Sequence, residues 1–393
     1  MSNRRDFLGR AVALSLSSAF AFSETRVSEA LEPRSSSLRV LILGGTGFIG
    51  PYFVRAAVGR GHRVTVFNRG RDHAELPKSV EHLIGDRNGD LRAISNRDWD
   101  VAIDDATYGP AWVRSLGAAL RGRVKHYIFI STISVYDTSV GADPRDERSP
   151  VLRYHGQEDP YSVTTLGPDY GALKALCEQE AQRQFPGRTA ILRLGSIVDL
   201  HHQDEAVTYW PVRLSQGGEV MVAGDPSWPI QFIDVRDLAR WVIQISEKSV
   251  TGVYNTVGPT SPMNLGQMIE AAYPTRPSPR RITWVSAPWL IARNGDQTWN
   301  VLLFWYENRQ VMRMNIGRAL RQGLTTRPVS LTMSDALKWH QNEPPERRGK
   351  ILTAYKEKPD GSGLEPIIMS WSAYLEWERE TLTAWHRQTR TAR

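Results

Sequence analysis

The chain has 393 residues, 41% hydrophobic and 23% charged, which is enough apolar sequence for one large domain or two and too balanced for a disordered or fibrous protein. Lys and Arg number 49 against 42 Asp and Glu, and their scatter, without a basic run outside the Arg-containing ends, excludes an obvious polyanion-binding surface, so no nucleic-acid partner is expected. The single cysteine, Cys177, excludes an intramolecular disulfide and a Cys-ligated metal site.

The opening stretch, MSNRRDFLGRAVALSLSSAFAFS, sets Arg4 and Arg5 ahead of Phe7, Leu8 and an apolar run from Ala11 to Phe22. That run is too short to span a bilayer, and Ala19-Phe20-Ala21 and Ser28-Glu29-Ala30 offer small-residue cleavage sites. Residues 1–30 resemble a twin-arginine export signal, which implies the twin-arginine export machinery as a partner and a periplasmic or otherwise extracytoplasmic location. The alternative is a leader without export meaning and a cytoplasmic protein. No other segment is long and apolar enough to predict a stable membrane span.

An apolar run from Leu38 to Leu43 predicts a buried strand, Phe48 to Arg60 has helical spacing, and Arg63 to Phe67 predicts a second strand, together a βαβ unit. Between the first strand and the helix lie Gly44, Gly47 and Gly50. Glycines permit a tight turn and let backbone N–H groups and a helix N-terminus approach a pyrophosphate; the plainer alternative is a turn that binds nothing. The spacing Gly-x-x-Gly-x-x-Gly, with GGTGFIG in full, resembles the short-chain dehydrogenase/reductase superfamily in its extended branch, the NAD-dependent epimerase/dehydratase family. The resemblance implies that Gly44, Thr46, Gly47, Phe48, Ile49 and Gly50 bind a dinucleotide.

Further strand signals, VEHLIG from Val80, DVAIDDA from Asp100, VKHYIFIST from Val124 and RTAILRLG from Arg188, alternate with helical stretches over 90–96, 110–122 and 168–184. The alternation predicts an α/β fold, a doubly wound parallel sheet of the Rossmann type, over 38–200 and completed by about 231–258. At the end of the second strand Asn68 and Arg69, with Arg71 close behind, replace the acidic residue that would bond the ribose hydroxyls of NAD; this favours NADP, unless NRGR is a solvated turn. Asp86 sits where the resemblance puts a carboxylate on the adenine amino group; its other reading is a turn residue.

Tyr170 and Lys174, in DYGALKAL, are four residues apart and share one face of a predicted helix. A phenol of pKa about 10 is a poor base near neutrality, and a neighbouring ammonium stabilises its charged form. The family pattern Ser/Thr-x-x-Val-Tyr is matched from Thr132 to Tyr136. The resemblance therefore implies that Thr132 orients the reacting oxygen, with Ser131 as substitute, that Tyr170 transfers the proton, and that Lys174 holds the ribose and lowers the tyrosine pKa. ILRLGSIV with Arg193, FIDVRDLARWV and GVYNTVGP match later segments of extended members.

Departures narrow the reading. Asp137 stands where the family has Gly, and Ile133-Ser134 stand where sugar 4,6-dehydratases have Asp-Glu, so elimination of water is not expected. Residues 137–168 lengthen the usual spacing and are expected to form a loop or lid over the site. His201, His202, Asp204 and Glu205 lack a further ligand at helical spacing, so no metal is expected. Residues 201–230 and 259–393 are expected to form a smaller C-terminal α/β substrate lobe with a C-terminal extension, and the small-molecule substrate to sit between the lobes. Of the 13 tryptophans, Trp210, Trp228, Trp284, Trp289, Trp299, Trp305 and Trp339 fall in this half, as core or as stacking surface for a sugar ring. The tail from Asn342 is expected to cap the cleft or to mediate self-association as a homodimer.

The implied function is that of an NAD(P)-dependent oxidoreductase or epimerase at a carbinol or carbonyl carbon, with a sugar derivative as one substrate class. Export favours a closed cycle on one tightly held cofactor, hence epimerisation. The rival is a non-catalytic dinucleotide-binding regulator or RNA-binding relative on the same fold, against which the retained Tyr170 and Lys174 count.

Overall fold

The computed structural model describes residues 36–71, 74–105, 107–140, 143–163, 167, 169–199, 207–273, 280–294, 312–357 and 364–391. The apolar run after Leu38 is strand β1 (Arg39–Leu43), followed by α1 (Gly50–Gly59) and β2 (Arg63–Asn68). β3 (Glu81–Ile84), β4 (Trp99–Asp104), β5 (Val124–Thr132), β6 (Thr189–Leu194) and β7 (Gly252–Thr256) complete a seven-stranded sheet in the order β7-β6-β5-β4-β1-β2-β3. Every adjacent pair is parallel.

The strands read as near-continuous apolar runs because both faces are covered. In β1, Val40 and Ile42 join Phe53 of α1 and Trp241 of α4 (Val235–Glu247) on one face, while Leu41 and Leu43 join Leu116 of α2 (Pro110–Ala119) and Ala181 of α3 (Tyr170–Gln184) on the other. Full burial of Phe53 alone is worth about 2–3 kcal/mol. β1 lies between β2 and β4, so the chain leaves the sheet centre in opposite directions on its two sides. That reversal opens a crevice at the carboxyl ends of β1 and β4. The helix expected over 90–96 shrinks to one turn, Arg92–Ser95.

A second apolar core gathers the parallel pair Gly218–Ala223 and Arg280–Val285 with the helices α5 (Leu265–Ala271), α6 (Val329–Asn342) and α7 (Trp371–Thr391). No described residue of the tail lines the cleft described below; α7 puts Trp371, Tyr374 and Leu382 into this core. Its Glu378 accepts from Arg213 Nε (2.8 Å) and from the Met221 N–H (3.0 Å), a buried pair that ties the tail to the lobe. Trp210 is fully buried here, and Trp228, Trp284 and Trp289 pack against the same cluster, so these tryptophans are core. Arg347 lies over the Trp339 ring at 5.9 Å, and Trp299 and Trp305 lie outside the described residues.

The described part of 137–168 is a loop held by hydrogen bonds to its neighbours. Leu152 N–H donates to Val135 O (2.8 Å), Asn315 N–H to Arg145 O (2.7 Å), and Tyr161 OH to Glu180 Oε2 (3.0 Å). None of those residues lines the cleft described below. Residues 1–30, read as an export signal, and His201, His202, Asp204 and Glu205 lie outside the described residues. Among the described residues no helix is long and apolar enough to cross a membrane, and no group of His, Cys, Asp and Glu could hold a metal ion.

Candidate functional site

The chain leaves β1 through Gly44 (φ 104°) and Gly45 (φ 73°), a left-handed pair closed by Gly44 N–H donating to Phe67 O (3.1 Å). A Cβ on Gly50 would meet the Gly45 backbone at 2.6 Å, whereas one on Gly47 would meet nothing within 4 Å. The glycines expected to act together therefore separate. Gly50 seats the N-terminus of α1 on the turn and does not line the cleft, while Gly44 and Gly47 do.

The crevice is a cleft of about 970 Å³, lined also by Thr46, Phe48, Ile49, Asn68, Arg69, Arg71, and by Asp86, Thr132, Tyr170 and Lys174. Asn68 serves the turn itself. Its Nδ2 donates to Gly44 O (3.1 Å) and Thr46 Oγ1 (2.8 Å), and its Oδ1 accepts from Gly70 N (2.8 Å) and lies 2.7 Å from His82 Nε2. Those contacts use all of the amide, whereas Arg69 and Arg71 are exposed and have no ion-pair partner among the described residues. Asp86 Oδ1 accepts from the Asn88 N–H (2.9 Å), so the turn role is present alongside its place in the cleft.

Thr132 ends β5 and caps the following turn, its Oγ1 accepting from the Ser134 N–H (3.1 Å). Ser131 is buried and donates to Glu178 Oε1 (2.6 Å), whereas Thr132, whose Oγ1 also lies 3.1 Å from Ser134 Oγ, is the less buried of the two hydroxyls that line the cleft. Glu178 is in turn held by Arg193, with NH2 to Oε2 at 2.7 Å, a pair that braces α3 against β6. Tyr170 opens α3, and burial raises its phenol above the ordinary value while the Thr132 hydroxyl works the other way.

One helical turn on, Lys174 is buried, its Nζ donating to Thr107 O (2.7 Å) and Ile130 O (2.5 Å). Burial pushes the ammonium down to about 8, against the raising influence of Cys177, Asp104 and Glu178. In this structure the ammonium donates to two carbonyls, and the phenol responds to burial, Cys177 and Thr132.

Sequence reasoning missed the acid pair Asp104 and Asp105. Asp104, fully buried at the end of β4, accepts from Arg87 NH2 (2.7 and 2.8 Å), Thr107 Oγ1 (2.6 Å) and Tyr127 OH (2.6 Å). Burial opposes its charge, but Arg87 and the two hydroxyls hold it below the ordinary carboxylate range. Its neighbour Asp105 lines the cleft, as do Arg87, Tyr108 and Trp112. The Arg87 guanidinium lies 5.7 Å from the Trp112 ring, which is tilted against Tyr108 at 4.8 Å. The signal was present in DVAIDDA, where two acids end an otherwise apolar strand; a buried strand has no use for charge at its carboxyl end unless a site stands there.

The residues fit a dinucleotide: a turn of left-handed glycines, a Gly47 whose side-chain direction is clear of protein, and an unpaired arginine at the rim. Residues 40–108 match the NAD dependent epimerase/dehydratase family. The chain is similar to UDP-N-acetylglucosamine 4-epimerase from Bacillus cereus, at 16% identity and a TM-score of 0.53 over 78% of this chain and 98% of that one. This chain has the Rossmann-like α/β fold of the epimerases. It is also similar to a human epimerase family protein solved with NADPH, at 22% identity and a TM-score of 0.50 over 76% of this chain and 99% of that one. Other structures of this fold were solved with NAD. In sequence it is 33% identical over 118 residues to the chloroplast stem-loop binding protein of 41 kDa b of Arabidopsis thaliana, covering 26% of this chain and 31% of that protein. The chain spans between 31% and 60% of the length of the curated relatives it matches.

Proposed function

We propose that this chain is an extended short-chain dehydrogenase/reductase that uses NAD(P) at a carbinol or carbonyl carbon, its net reaction an epimerisation or an oxidation/reduction. The observation that supports this best is the convergence of Thr132, Tyr170 and Lys174 on the same cleft as the glycine turn and Arg69. When bound, the nicotinamide supplies hydride transfer. Gly44, Thr46, Gly47, Phe48 and Ile49 would hold its pyrophosphate half, Arg69 a 2′-phosphate, and Asp86 the adenine. An ammonium has three donors; two of those on Lys174 go to Thr107 and Ile130, which leaves one for a ribose hydroxyl. Tyr170 would pass the proton at its phenolic oxygen, and Thr132 Oγ1 would orient the reacting oxygen. The substrate class we favour is a sugar derivative, as for the UDP-sugar epimerases of the same fold. The leader with Arg4 and Arg5 supports export through the twin-arginine route as part of the same proposal.

The resemblance to a stem-loop binding protein favours a second reading, a nucleic-acid binder on this fold. The scattered charge and the retained Tyr170 and Lys174 weigh against it. Tyr170→Phe separates the two: turnover of an identified substrate is lost while NAD(P)H binding, followed by tryptophan fluorescence, stays within about twofold of the parent. Full turnover in that variant refutes the catalytic assignment.

A further inference from the structure

The roles assigned so far leave the carboxyl of Asp105 unused. Its N–H donates to the carbonyl of Leu43 (3.1 Å), the last residue of β1, so it stands beside the start of the glycine turn. The two acids at the end of β4 have opposite surroundings. Asp104 is surrounded by donors from Arg87, Thr107 and Tyr127, whereas the Asp105 carboxyl lines the cleft with no hydrogen-bond partner among the described residues. The charged and titratable groups that line the cleft with it are Arg69 and Arg71 after β2, Asp86 and Arg87 after β3, Tyr108 beyond β4, and Lys174 and Tyr170 on α3, with Asp104 buried beside it in the chain; the glycine turn and the end of β5 bring only uncharged residues. Burial, and then the Asp104 charge, push Asp105 up to about 7 against the pull of Lys174 and Arg87.

A diphosphate on the glycine turn adds negative charge to this cleft. A carboxylate without donors repels that charge, the more so as water leaves, whereas a neutral carboxyl donates its O–H to a phosphate or ribose oxygen. Resting on the reading of the cleft as a dinucleotide site, we propose that Asp105 meets the bound dinucleotide in its protonated form, so that binding takes up one proton from solvent onto an Asp105 carboxyl oxygen.

The sign follows from linkage. Below about pH 7 the group already carries the proton, so uptake is small and affinity is flat; above it, uptake approaches one proton and affinity falls about tenfold per pH unit. Lys174 loses its charge from about 8 upward and also weakens anion binding there, so the two must be separated by substitution.

Titration calorimetry of the full chain with NADH, which has no phosphomonoester, in two buffers of different ionisation enthalpy from about pH 6.5 to 8.5 counts the protons. NADPH is run in parallel above about pH 7, where the second ionisation of its phosphate, near 6, is complete. The parent is expected to take up most of a proton at about pH 8, and Asp105→Asn to take up clearly less and to bind with nearly pH-independent affinity up to that point. Asp105→Ser provides the same test if the first variant does not fold. Equal uptake in parent and variant would move the proton to Lys174 and overturn the proposal. An affinity loss in the variants equal at every pH would make Asp105 a charged acceptor, which also overturns it. Failure of both dinucleotides to bind at any pH would instead remove the dinucleotide reading and this proposal with it.

Discussion

Gly47 and Gly50 are three residues apart in one motif, yet their replacement by alanine should act on different properties. At Gly50 the new Cβ meets the N, Cα and C atoms of Gly45 at 2.6–2.8 Å, a backbone contact that no side-chain rotation relieves. The turn must retreat by about 0.8 Å to reach ordinary contact, and overpacking of this kind costs about 1–3 kcal/mol. The better helix propensity of alanine returns less than about 1 kcal/mol. Gly50→Ala should therefore destabilise the chain by about 1–2 kcal/mol and displace the glycine turn from Val66 and Phe67. At Gly47 the Cβ meets no protein atom, and the backbone is outside the left-handed region. Gly47→Ala should be neutral or stabilising by up to about 1 kcal/mol, through the unfolded chain, and should weaken dinucleotide binding at least about tenfold by occupying the space into which a pyrophosphate must come. Thermal denaturation without ligand, paired with NAD(P)H titration of both variants, measures the two effects. A Gly50→Ala variant as stable as the parent, or a Gly47→Ala variant with unchanged affinity and lost stability, would refute the division of labour.

Arg69→Ala should weaken NADPH about tenfold, the low end for a charge-assisted hydrogen bond at an exposed arginine, and leave NADH almost unchanged; equal losses in calorimetry would show that Arg69 does not read the phosphate. Replacing Arg4 and Arg5 with lysine should retain the protein in the cytoplasm on cell fractionation, and unchanged distribution of the doubly substituted chain would refute the export reading.

The parallel sheet was legible because burial on both faces writes itself into composition: Val40 to Leu43, Val101 to Ile103 and Tyr127 to Ile130 leave no alternation to misread. The pairing of Tyr170 with Lys174 was legible because four residues make one helical turn, and the glycine turn because only glycine takes the backbone angles of Gly44 and Gly45. What the tertiary structure decided are relations between residues far apart in sequence. Asn68 belongs to the glycine turn because its amide reaches Gly44 and Thr46, a contact set by strand register that no local pattern encodes. Two donors of the Lys174 ammonium go to Thr107 and Ile130, partners that its place on the helix does not reveal. Tail residues Trp371 and Tyr374 were assigned by packing alone, since an amphipathic helix declares that it has an apolar face but not what covers it. Asp104 and Asp105 show the same limit most sharply: adjacent and chemically identical, they differ because a strand's neighbours alternate, one carboxylate turning into a shell of Arg87, Thr107 and Tyr127 and the next into the cleft.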